Sequence, residues 1–251
     1  MSKAVNIIFP VFLYAFQGYC LQYFYGSFLE IKGKGNWWNA GAVAVLYTVL
    51  RLILSWMGSS DLWDYKVAIG RMALALGILA FLAVCFYKAF CLTTVFLVVA
   101  FQAVADISRY AVVILLGELG DGMIHIWSWC AEKGVFASER SFGITVNAGL
   151  IGEWILEYLG IALLMYGSLK KIVRDFREKE YDINRAELLF ILTPAAAGLM
   201  ICLLLRIIII TMENGIPKIL YDRYPVLIVL IPAILLLSLL SILHGVKLFQ
   251  D

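Results

Sequence analysis

The sequence predicts an all-α protein, a polytopic transmembrane helical bundle of about seven spans, N-terminus out and C-terminus in. Three observations carry that prediction. Of the 251 residues, 63% are hydrophobic and only 15% charged, which is more apolar surface than one globular core can hide. The apolar residues fall into runs of membrane-spanning length. One dense basic stretch, Lys170–Arg185 (KKIVRDFREKEYDINR), separates two of those runs. The whole chain, 1–251, reads as a single transmembrane domain.

The basic stretch sets the orientation. It holds six of the twenty Lys and Arg residues, and such a loop stays cytoplasmic because positive charge resists translocation. Its opening has a helical pattern. Ile172, Val173 and Phe176 share one face, as if anchoring in the membrane, and Lys171, Arg174, Asp175 and Glu178 occupy the rest. A solvated connector explains this stretch, although an anionic-lipid switch would use the same charges.

In chain order, the first expected span is Ala4–Leu29, interrupted by Pro10. One Lys precedes it and no small-residue cleavage site follows, so it reads as a retained span and not a signal peptide. Trp37–Met57 is the second, with Trp37 and Trp38 at its inner interface. Val67–Tyr87 and Phe90–Leu116 follow, separated by a short turn near Lys88. The segment 117–145, containing ELGDGMIHIWSWCAEKGVFASER, is too glycine-broken for a span and is expected as an outer loop on the membrane surface. Ile124, Trp127 and Ala131 would face lipid there, with His125 and Glu132 facing water. Val146–Leu169 leads into the cytoplasmic loop 170–185. Leu188–Met212 and Val226–Val246 complete the set, around a second outer loop at 213–225 marked by Asn214, Gly215, Pro217 and Pro225. Pro194 and Pro232 lie inside these last spans, where neighbouring helices satisfy the freed carbonyls. Counted on this topology, ten basic residues lie inside and six outside.

Several function classes lose support. Cys20, Cys85, Cys91, Cys130 and Cys202 show no CxxC pair, and they read as small buried hydrophobes. His125 and His244 fall on opposite sides of the membrane, so neither a metal site nor a cofactor is expected. No P-loop, GxGxxG or GxSxG is present, and no catalytic residue is assigned. No basic patch interleaved with aromatics points to nucleic acid.

The informative residues are the charges inside the spans: Arg51, Arg71, Asp106, Arg109, Glu153, Glu157 and Arg206. Each costs about 2.5–3.5 kcal/mol at mid-bilayer on insertion scales, so each needs a partner or a wet cavity. All seven fall in the outer halves of their expected helices, which come from five different spans. Snorkelling to the outer interface would accommodate Arg71 and Glu153, and a proton or ion path is a lesser alternative; two main readings stay open. The charges form interhelical ion pairs that lock the bundle, or they line an outward-opening ligand pocket. Four Arg against three acids favour an anionic group on such a ligand.

The last third, AELLFILTPAAAGLMICLLLRIIIITMENGIPKILYDRYPVLIVLIPAILLLSLLSILHGVKLFQD, resembles the membrane sensor half of GHKL-type sensor histidine kinases of Firmicutes, the agr-like quorum-sensing receptors. SLKKIVRDFREKEYDINR is similar to that family's basic linker, and PVFLYAFQGYC near the start is similar too. The likeness is specific over about residues 168–251. It implies an inward C-terminus, in agreement with the charge count. It does not extend to kinase chemistry. His244 matches no phosphoacceptor box, and no ATP-binding motif is present. The expectation is a sensor domain in the bacterial cytoplasmic membrane that detects an extracellular ligand, a short peptide among the candidates. It would signal through its last helix as a homodimer or with a kinase and response regulator. A small-solute transporter or channel is the alternative, as is a ligand-free accessory membrane protein.

Overall fold

The computed structural model describes residues 5–32, 36–56, 65–88, 91–134, 139–177, 192–204 and 226–247. The expected outer loop at 213–225, Arg206 and the second half of the basic loop lie outside them. The described chain is all-helical apart from one short ladder. Its helices are α1 (Val5–Phe28), α2 (Asn36–Trp56), α3 (Tyr65–Phe86), α4 (Cys91–Glu132), α5 (Glu139–Arg177), α6 (Leu192–Leu204) and α7 (Val226–Lys247). Each sits on one of the expected apolar runs. Three contain segments long and apolar enough to cross a membrane: Ile69–Phe86, Thr93–Leu116 and Ser141–Asp175. Shorter apolar segments lie in α2, α6 and α7.

Segment 117–145 departs from the expected loop. α4 runs on without a break to Glu132, and α5 starts at Glu139 instead of Val146. At 42 and 39 residues the two helices are about 63 and 58 Å long, twice the roughly 30 Å of a hydrocarbon core. Gly120, one of the glycines that looked like breaks, permits close packing, as do Gly149 and Gly160 on α5, whereas a Cβ on Gly122 would meet nothing within 4 Å. A Cβ on Gly120 would strike the Glu153 carboxylate, one on Gly149 the Trp127 ring, and one on Gly160 the Val112 side chain. Those three pairings make α4 and α5 an antiparallel hairpin, and α4 stops at Gly134. That residue takes the left-handed conformation (φ 70°) and donates its N–H to the Ala131 carbonyl at 3.0 Å.

The basic loop is also shorter than expected, because α5 continues to Arg177. Ile172 and Val173 are buried in the protein core and do not face lipid. Aromatic pairs fix how α5 runs beside α1. Phe9 stacks on Tyr158 at 5.1 Å, while Phe16 and Tyr23 meet Tyr166 at 6.4 and 6.2 Å. The two helices are therefore parallel, and the basic end of α5 lies at the C-terminal end of α1.

The same end carries the ladder, β1 (Glu30–Ile31) paired antiparallel with β2 (Tyr87–Lys88). Lys88 Nζ reaches Glu30 at 3.0 Å. Lys32 donates its backbone N–H to the Phe86 carbonyl at 2.8 Å and its ammonium to the Val84 carbonyl at 2.6 Å. A cation there satisfies carbonyls at the C-terminus of α3. These bonds clip the α1–α2 connection to the α3–α4 turn. At the middle of the bundle, α1 and α2 come together at Gly18, whose Cβ would lie 2.5 Å from the Ala44 carbonyl oxygen.

One buried cluster runs through the bundle, from Leu21 and Phe24 on α1 through Phe101 and Ile107 on α4 to Met165 on α5, Leu199 on α6 and Leu239 on α7. Large apolar side chains such as Phe12, Val45, Leu74, Phe81, Leu163 and Leu237 are exposed around it. An apolar rim around an apolar core suits contact with lipid.

A charged pocket between helices α1, α2, α3, α4 and α6

A pocket of about 300 Å³ opens between these five helices. Its lining draws on the N-terminal half of α1 (Tyr14), the C-terminal half of α2 (Arg51, Leu54, Ser55) and the N-terminal half of α3 (Arg71, Met72, Ala75). α4 contributes Gln102, Asp106, Arg109 and Tyr110, and α6 contributes Cys202 and Leu203. Since β1 and β2 follow the C-termini of α1 and α3, the pocket lies towards the opposite end of the bundle from the clip.

Four of the seven expected site residues therefore meet: Arg51, Arg71, Asp106 and Arg109. Glu153 and Glu157 are not among its lining residues. Glu153 sits on the α4–α5 interface against Gly120. Glu157, half-buried on α5, lies within electrostatic reach of Arg109. Arg206 lies outside the described residues.

Each charge is held differently. The Arg51 guanidinium lies over the rings of Tyr14 and Tyr47, with centroids at 5.7 and 5.8 Å, an arrangement that offsets part of its desolvation through the ring quadrupoles. Its Nε is buried and makes no hydrogen bond. Tyr47 is fully buried and donates its hydroxyl to Gln17 Oε1 at 3.2 Å, which fixes one of the two rings. Arg71 Nη2 donates to the Ser55 carbonyl at 3.3 Å, tying α3 to the end of α2. Asp106 Oδ2 accepts from Gln102 Nε2 one helical turn away, at 2.8 Å. Arg109, a further turn along α4, is exposed into the opening.

Ion pairs closer than 4.0 Å between described residues are Lys88–Glu30 and Arg174–Asp175, both remote from the pocket. Arg51, Asp106 and Arg109 share one cavity without closing onto each other. Such an arrangement leaves guanidinium forks and one carboxylate oxygen able to take up a polar guest.

Sequence reasoning missed Tyr14, Ser55, Gln102 and Tyr110. Gln102 had a signal, since it lies four residues before Asp106 and so on the same face. Tyr14 had none, because its role depends on α1 and α2 meeting at Gly18. Comparison with family models, with curated proteins and with solved structures gives no match.

Proposed function

We propose that the chain is a polytopic receptor domain of a bacterial cytoplasmic membrane. In this reading it has seven spans, N-terminus out and C-terminus in, and the pocket opens outward to an extracellular ligand bearing an anionic group. The observation that carries the reading is the meeting of Arg51, Arg109 and Asp106 in one cavity, with no ion pair among these three within 4.0 Å. Ionisable groups inside a membrane bundle mark a functional site by default. The resemblance of residues 168–251 to GHKL-type sensor halves supplies the signalling half of the proposal. Ligand binding shifts the packing around α4 and α6, and α7 transmits the change to a kinase core in the same homodimer or in a partner acting on a response regulator. A ligand can do this only if it binds one arrangement better than the other.

The packing favours a receptor over a transporter. A transport path needs polar groups lining a continuous route on both sides of the site. Phe24, Tyr25 and Phe101 are instead packed beyond Gln17 and Tyr47, and the buried Thr94, Ser168 and Asp175 lie nearer the clip end. Tyr47 meets Phe101 edge-on at 6.1 Å, and Tyr25 lies 6.5 Å from the same ring.

Fusing the chain in helical phase to a dimeric histidine-kinase core tests the proposal. Autophosphorylation should respond to conditioned extracellular medium, and Arg109→Gln should abolish the response while the protein remains folded. Phosphorylation that ignores the medium, or an Arg109→Gln protein that responds as the parent does, contradicts it.

A further inference from the structure

The charges in the pocket specify more than an anion. We propose that it takes a free α-amino acid with an apolar side chain, an inference that rests on the receptor reading above.

The pocket is a mixed-charge site. A simple carboxylate entering between Arg51 and Arg109 would also face the Asp106 carboxylate, and an amine alone would face the three guanidinium groups of Arg51, Arg71 and Arg109. A zwitterion satisfies both signs at once, with its carboxylate on the guanidinium forks and its ammonium on Asp106. Asp106 is prepared for that role. Gln102 holds one carboxylate oxygen at 2.8 Å, and among the described residues no hydrogen bond occupies the other. Arg51 is prepared as well, bracketed by the Tyr14 and Tyr47 rings with a buried Nε that has no acceptor. Size sets the second restriction. About 300 Å³ is the low end for ligand pockets. It suits one amino acid, whereas the carboxylate end of a peptide would enter without a neighbouring ammonium. Leu54, Met72, Ala75 and Leu203 supply the apolar part of the lining, which suits an apolar side chain.

The test is calorimetric titration of the purified full chain with L-leucine and two truncated analogues. One is 4-methylpentanoate, which lacks the ammonium, and the other is 3-methylbutylamine, which lacks the carboxylate. A thermal-shift screen of the twenty amino acids accompanies it. Apolar L-amino acids should stabilise the protein, and each analogue should bind at least about tenfold more weakly than L-leucine, because it leaves a charged group of the site unmatched. Asp106→Asn should weaken L-leucine and strengthen 4-methylpentanoate. If 4-methylpentanoate binds the parent protein as tightly as L-leucine, the amino-acid inference is overturned and the anion-receptor reading survives. If neither the amino acids nor 4-methylpentanoate bind, both are overturned.

Discussion

Arg51 is held by two aromatic faces in place of a counter-ion, and that choice separates a pocket from a rivet. A buried ion pair that loses one member leaves a bare charge and costs about 3–5 kcal/mol. A charge already solvated in an open cavity costs little to remove, typically within about 0.5 kcal/mol. Arg109 is exposed and makes no ion pair within 4.0 Å among the described residues. Arg109→Gln should therefore change stability by less than about 1 kcal/mol in detergent melts. A loss of several kcal/mol, restored by Glu157→Gln in the same chain, would show that Arg109 serves as a lock with its α5 neighbour. At this scale the sequence singled out seven charges in the outer halves of their expected spans, and four of them line one pocket. It did not disclose which of them converge. That depends on helix rotation, which turned Arg51, Arg71, Asp106 and Arg109 into one cavity and left Glu153 on the α4–α5 seam.

Helix positions were legible because apolar runs of spanning length leave the backbone few alternatives. Helix ends were not. Gly117, Gly120 and Gly122 read as breaks in a sequence window, yet α4 passes through all three, and Gly120 makes room for the Glu153 side chain of α5. Within a helix pair a glycine can be the point of nearest approach instead of a stop. The distinction is testable on α1, where two glycines have opposite surroundings. A methyl group on Gly18 would meet the Ala44 carbonyl oxygen at 2.5 Å, whereas one on Gly26 would meet nothing within 4 Å. Gly18→Ala should destabilise the bundle by about 1–3 kcal/mol through overpacking. Gly26→Ala should be neutral or stabilising by up to about 1 kcal/mol, from helix propensity alone. Thermal melts of the two variants decide it, and equal effects would mean that α1 and α2 do not meet at Gly18.

For the whole molecule, alternation along the chain places the β1–β2 clip, Lys32, Lys88 and the basic end of α5 together, with the charged pocket towards the other end. The clip itself was invisible in the sequence, since two-residue strands carry no periodic signal. The positive-inside rule then gives the assembly its direction. On the proposed orientation the pocket opens to the exterior, and the Lys170–Arg177 end of α5 faces the cytoplasm. Everything proposed about ligand detection depends on that direction. Thiol labelling in intact cells measures it, in a Cys130→Ser background that removes the exposed-side cysteine expected from the sequence. Ser55→Cys, at the pocket rim, should react with a membrane-impermeant maleimide from outside, while Lys171→Cys should react only after the membrane is permeabilised. Labelling of Lys171→Cys in intact cells, with Ser55→Cys protected, would put the pocket in the cytoplasm and contradict the receptor account.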